Sequence, residues 1–177
     1  DGRVWAWGSN IYGQLGGDSA TFFRSTPEVV AGLTDVVAVS AGGDQSIALR
    51  RDGTVWVWGV FVDWRDGLLF YQPRRVPTAL PGLSQIVRIS AGTQHAIALR
   101  SDGTVMAWGD NEYGQLGDGT TTLRTTPVAV VGVAGSTDIS AGNLHSMALL
   151  ADGSAWAWGY NGSFQLVDGT STSRSTA

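Results

Sequence analysis

Two histidines, His95 and His145, stand 50 residues apart in one setting, Ala-Gly-x-x-His, and the first occurrence of that setting carries Gln45 instead. An imidazole could act as a general base or a metal ligand, but either role needs convergent partners. No carboxylate recurs beside the two His, and Gln can replace a hydrogen-bonding His but not a base. The position is therefore expected to hold a hydrogen-bonded structural residue. The chain has no Cys, which excludes disulfides, thiolate nucleophiles and zinc–thiolate sites. Arg24, Arg74, Arg124 and Arg174 recur at intervals of 50. A ring of guanidinium groups could take up an anionic partner, but a repeated contact inside each unit is the simpler reading. The segments Asn10–Gly16 and Asn111–Gly117 both read Asn-x-Tyr-Gly-Gln-Leu-Gly. No Lys follows and no helix begins there, so they are not phosphate cradles. Their glycines read as turn formers. In the last copy Phe164 and Val167 replace those glycines, and that loop is expected to take another path. No catalytic, metal or cofactor set is expected.

What positions these residues is a repeat. Asp-Gly occurs at Asp1-Gly2, Asp52-Gly53, Asp102-Gly103 and Asp152-Gly153, at spacings of 51, 50 and 50. Trp-Gly begins at Trp7, Trp58, Trp108 and Trp158, Ser-Ala-Gly at Ser40, Ser90 and Ser140, and Pro recurs at Pro27, Pro77 and Pro127. Each unit reads as four short strands. Val36–Ala41 is strand A and Gln45–Arg50 strand B. Asp52-Gly53 is expected to form a two-residue type I′ hairpin, which makes its Asp a turn residue rather than an acid. Thr54–Trp58 is strand C, and Glu28–Val30, after Pro27, is strand D. No stretch has helical periodicity. In strand C, Trp56 and Trp58 alternate with Val55 and Val57, so both faces are apolar. The strand-C tryptophans, Trp5, Trp7 and Trp156 included, are expected to pack in the core. Four short strands per ~50 residues, apolar on both faces, is the pattern of a β-propeller blade.

The pattern VxxISAGxxHxxALxxDGxVxxWGxNxxGQLGxGTxxxRxTPxxV, followed almost throughout by residues 86–128, resembles the regulator of chromosome condensation repeat. The likeness covers the whole chain and is weakest at 60–76 and 160–167. It implies a seven-bladed propeller used as an interaction platform. Bacterial members of this family include secreted and multidomain proteins, and one group inhibits β-lactamases. A plant UV-B photoreceptor of the family uses clustered Trp and Arg at a dimer face, but its Gly-Trp-Arg-His-Thr motif does not occur here.

The expected architecture is all-β, a partial propeller of four-stranded antiparallel blades. The chain reads as one repeat domain over 1–177, with repeats 1–51, 52–101, 102–151 and an incomplete 152–177, about 3.5 repeats in all. Strands C and D open the chain, and its last copy stops where Pro would begin strand D. Residue 1 is not a natural start, so the chain is expected to begin inside something longer or after a removed segment. Two copies would total 354 residues, yet joining them skips strands D, A and B. Either the chain is part of a larger ring or it self-associates through its open, apolar blade faces.

One segment departs from the repeat. Residues 60–76, VFVDWRDGLLFYQPRRV, replace a Gly- and Thr-rich loop at unchanged length, 17 residues between Gly59 and Pro77. Asp66-Gly67 is expected to turn a small hairpin between Val60–Arg65 and Leu68–Gln72. Phe61, Trp64, Arg65, Phe70, Tyr71, Arg74 and Arg75 are residue types that dominate interface hot spots, and they form the candidate partner-binding set. The other outcome is that they fold back on their own blade.

The net charge is −4, and all 11 basic residues are Arg. That balance argues against non-specific nucleic-acid binding. No apolar run reaches the ~18 residues that span a bilayer, and no membrane association is expected. The functional expectation is a non-enzymatic scaffold whose loops bind a protein partner of unknown identity. Inhibition of an enzyme and nucleotide exchange on a small GTPase are special cases. The alternative is a structural repeat segment of a surface or secreted bacterial protein with no discrete site. The absence of Cys leaves the compartment open, and a secreted or cell-surface bacterial setting is favoured.

Overall fold

In the computed structural model, residues 1–17, 21–65 and 68–177 are described, with the backbone alone over 61–72. Every regular element among them is a strand. The first blade has two strands, β1 (Trp5–Ser9) and β2 (Phe23–Val29). The second has four: β3 (Val36–Gly42), β4 (Gln45–Arg50), β5 (Val55–Arg65) and β6 (Leu68–Ala79). The third also has four: β7 (Ile86–Ala91), β8 (His95–Arg100), β9 (Val105–Gly109) and β10 (Arg124–Ala129). The fourth has three: β11 (Ser136–Ala141), β12 (His145–Leu150) and β13 (Ala155–Gly159). Each sheet is antiparallel with neighbours in chain order. A bridge between Gly159 and Arg174 marks the start of the fourth blade's outer strand.

The apolar core lies between sheets, because the alternation in strands B and C sends each face to a different neighbour. Trp58 packs with Val4, Val30 and Leu33 of the first blade. Val55 and Val57, from the other face of the same strand, pack with Ile86, Ala96 and Trp108 of the third. Trp158 closes the next joint against Ile97, Val105 and Leu116. Among the described residues no sheet follows at either end of the array. At the first blade's open face Trp5 is 51% exposed and Trp7 60%, while Trp156, on the Trp158 face turned to the third blade, is still 42% exposed; all three depart from the core position expected for them.

Two local expectations need correction. The Asp-Gly turn is not type I′. Gly53 N donates to Arg50 O at 2.9 Å, Arg50 N donates to Thr54 O at 2.9 Å, and in the turn Gly53 alone has positive φ, 81°. The loop is therefore Arg51-Asp52-Gly53, a type I turn closed by a left-handed Gly. The Asp carboxylate accounts for the difference. Asp52 Oδ1 accepts from Thr54 N at 3.0 Å and from Thr54 Oγ1 at 2.6 Å, which holds Asp52 right-handed. Those two bonds also push its pKa down. Second, strand D begins before the proline rather than after it, at Phe23 in β2. The ladder pairs Gly8 with Arg24 and Ala6 with Glu28, and its register shifts between them. Pro27 thus falls in an irregular stretch of an outer strand, where a missing N–H is tolerated.

Candidate interaction site

Each joint between blades is organised by the loop that follows strand C. In the first blade Asn10, fully buried, accepts from Leu15 N at 3.0 Å and donates to Thr21 O at 2.9 Å. Asn111 and Asn161 accept in the same way from Leu116 and Leu166. The loop so shaped presents the carbonyl of its Gln to the next blade. Gln14 O accepts from Trp58 Nε1 at 2.8 Å and from Ser46 Oγ at 2.9 Å. Gln115 O accepts from Trp158 Nε1 and Ser146 Oγ, both at 2.9 Å. The loop ends on an ion pair: Asp118 with Arg124 at 2.8 Å, and Asp168 with Arg174 at 2.9 Å. The recurring Arg is thus a contact within its own blade in those two copies. Asp118 is partly desolvated, which would raise its pKa, but hydrogen bonds from Thr120 and Arg124 outweigh this and hold it low.

His95 Nε2 lies 2.9 Å from Ser146 Oγ, a spacing that a serine hydrolase would also show. Here it is structural. The one hydroxyl proton of Ser146 goes to Gln115 O, so His95 must donate, and both side chains are sealed, at 0% and 1% exposure. No substrate can reach the serine, and its proton is already engaged. The sequence reading of His95 as a hydrogen-bonded blade residue holds. No group of three or more His, Asp or Glu able to hold a metal occurs among the described residues.

The joint between the second and third blades lacks this relay at each point. The position of Ser46 and Ser146 is Ala96, that of His95 is Gln45, and the Gln-bearing loop is replaced by residues 60–76. Gln45 Nε2 instead donates to His95 O at 2.7 Å and Gly92 O at 2.9 Å. Trp108 Nε1, whose counterparts reach a loop carbonyl, has no hydrogen-bond partner among the described residues. Gln45 and Ala96 were absent from the candidate set. The signal for them was present in the aligned stretches Gln-Ser-Ile-Ala-Leu, His-Ala-Ile-Ala-Leu and His-Ser-Met-Ala-Leu. It acquires meaning only once the loop of one blade is known to touch strand B of the next.

The departing segment continues the sheet. Beyond Gly59↔Arg74 the β5–β6 ladder runs through Val60↔Pro73, Phe61↔Gln72, Val62↔Tyr71, Asp63↔Phe70, Trp64↔Leu69 and Arg65↔Leu68. By the two-residue period of a ladder, these positions group Trp64 with Tyr71 on one face and Phe61, Phe70 and Arg65 on the other. Asp66-Gly67 and the side chains of Phe61, Trp64, Arg65, Phe70 and Tyr71 lie outside the described residues. Arg74 is exposed and Arg75 half-buried. Arg75 seats the base of the hairpin on the first blade, where a Cβ on Gly13 would lie 2.8 Å from its Cα.

One further concavity opens at the first of these joints. A groove of about 420 Å³ beside β1 is lined by Trp5, Trp7 and Gln14 of the first blade and by Val39, Ser46 and Trp58 of the second, among others.

Comparison with known proteins places this geometry. Two models of the regulator of chromosome condensation (RCC1) repeat match the chain, one over residues 1–49 and 102–149, the other over 86–115 and 137–165. The human E3 ubiquitin-protein ligase HERC2 is 43% identical over 61 residues, which is 33% of this chain and 1% of that protein. Protein pim1 of Schizosaccharomyces pombe is 38% identical, over 33% of this chain and 13% of its own length. The crystal structure of Kap60 bound to yeast RCC1 (Prp20) superposes with a TM-score of 0.80 at 27% identity, covering 98% of this chain and 44% of that one. Human WBSCR16 gives 0.76 at 26% identity, covering 89% and 42%. The chain spans less than half of these solved relatives and a small part of the curated ones.

Proposed function

Because the chain belongs to the regulator of chromosome condensation repeat family, we propose that it is a non-enzymatic protein-interaction module whose contact element is the β5–β6 hairpin. Phe61, Trp64, Arg65, Phe70, Tyr71, Arg74 and Arg75 are its contact residues. The carrying observation is that the ladder continues for six pairs past Gly59↔Arg74, about 20 Å of strand at ~3.3 Å per residue, where the other described copies fold a compact loop. The accompanying changes at Gln45 and Ala96 support an adapted joint rather than a decayed repeat. Aromatic and Arg side chains on a short hairpin suit recognition of a protein surface. The net charge of −4 disfavours a nucleic-acid partner. The sealed His95–Ser146 pair supports a role without catalysis. Binding of Kap60 by yeast RCC1 is a property of that protein, and this chain's partner is a protein of its own. The test is a capture experiment with the whole chain, native against Trp64→Ala/Tyr71→Ala, followed by titration with each purified captured protein. At least tenfold weaker binding is expected for the variant, with an unchanged unfolding midpoint. Equal affinity in both would reject the hairpin as the contact element.

A further inference from the structure

Loops that join strand C to strand D approach the next blade through two glycines. A Cβ on Gly114 would lie 2.5 Å from Ser175 Cα, and one on Gly13 2.8 Å from Arg75 Cα. Both obstacles are backbone atoms of the next blade's outer strand, which no rotamer change can remove. The second glycine is wedged between a valine that follows strand D of its own blade, Val30 or Val130, and the next blade's tryptophan. A Cβ on Gly16 would lie 3.0 Å from Trp58 Nε1, and one on Gly117 2.7 Å from Trp158 Nε1. All four glycines have positive φ, between 65° and 81°.

In the fourth blade these positions are Phe164 and Val167, and the expected change of path does not occur. Phe164 has φ 62° and Val167 φ 56°, in the left-handed range of the glycines they replace. The same bonds close the loop: Phe164 N to Asn161 O at 3.0 Å, Val167 N to Phe164 O at 3.2 Å and Leu166 N to Asn161 Oδ1 at 3.0 Å. Buried Asn161 overrides the local preference. A β-branched residue in this region is a true outlier, and strain of this kind points to a use. Phe164 is 62% exposed and Val167 88%.

We infer that Phe164 and Val167 determine the specificity of the fourth blade's outer face by rejecting a blade of the standard pattern. Their side chains occupy the space that a following outer strand and its strand-C tryptophan take at the other joints. The rejection extends to the Trp7 end of a second copy. Head-to-tail self-association through the two open faces, one of the expectations from sequence, is thereby disfavoured in the packing geometry that this chain uses internally.

The test lengthens the chain after Ala177 by a second copy of residues 128–177. This supplies strand D of the fourth blade and strands A, B and C of a fifth. Limited proteolysis compares the native background with Phe164→Gly/Val167→Gly. The added segment is expected to be cleaved at least tenfold more slowly in the glycine background. Equal protection in both, or equal cleavage in both, overturns the inference. The converse variant, Gly114→Phe/Gly117→Val in the unextended chain, moves the block to the joint before β11. It is expected to release β11–β13 to protease while β3–β10 stay protected, and an intact β11–β13 again overturns it.

Discussion

His95 Nε2 must carry its proton, since Ser146 has already given its own to Gln115 O. Its Nδ1 is buried without a hydrogen-bond partner among the described residues, beside Gly92, where a Cβ would lie 2.5 Å away. A second proton on this ring would place a charge out of reach of water. Desolvation first, and the nearby His145 second, push its pKa down from 6.5 to about 4. The folded state therefore holds His95 neutral in a window where the unfolded chain binds a proton. The stability tied to neutral His95 is complete above pH 6.5, falls as the pH drops toward 4, and is gone below that. A gap of this size corresponds to about 3 kcal/mol. Asp118 and Asp168 also have lowered pKa values, so their stabilising bonds are lost only in more acidic solution. Denaturant unfolding of His95→Gln, the residue already at position 45, is expected to be less pH-dependent than the native chain between pH 6.5 and 4. An unchanged slope would remove His95 as its source.

At the scale of the element, strand B of each blade is fitted to the loop of the blade before it. Ser146→Ala removes a donor to Gln115 O and the acceptor of His95, and is expected to cost about 1–3 kcal/mol. The reverse change, Ala96→Ser, buries a hydroxyl where no Gln carbonyl is offered, and a loss of similar size is expected. Urea unfolding of the two variants checks this. A stabilising Ala96→Ser would mean that the β5–β6 joint supplies an acceptor after all. These elements divide what a sequence can tell from what it cannot. The blades were legible because Asp-Gly, Trp-Gly and Ser-Ala-Gly keep one phase and the strands alternate. The β5–β6 hairpin was legible because Asp66-Gly67 parts two strand-like runs. The turn type was not, because the Asp52 carboxylate, through Thr54, decides it. Nor was the path of residues 161–167, where Asn161 holds Phe164 and Val167 in a glycine conformation. Nor was the Ser146–Gln115–Trp158 relay, whose members lie 31 and 43 residues apart in sequence and meet only when sheets stack.

At the scale of the whole molecule the blades form a linear stack in which each touches only its neighbours, and stability should follow the number of joints a blade makes. The second and third blades have a neighbour on both sides, so both faces of strands B and C are buried: Ile47, Ala48, Val57 and Trp58 in one, Ala96, Ile97, Ala107 and Trp108 in the other. The first and fourth blades have one joint each and leave Trp5, Trp7, Met147 and Leu149 exposed. Hydrogen exchange should therefore be slowest in β4, β5, β8 and β9, and faster in β1, β2 and β13, though all belong to one architecture. The joints should also be separable. Gly114→Ala places a Cβ 2.5 Å from Ser175 Cα at φ 80° and meets both a backbone clash and left-handed strain, the latter alone worth ~1–2 kcal/mol. If coupling is strictly between neighbours, this variant speeds exchange in β11–β13 and leaves β4 and β5 at their native rates. Uniform acceleration across all blades would instead mean that the stack unfolds as one cooperative unit, and the single-joint account of its ends would fail with it.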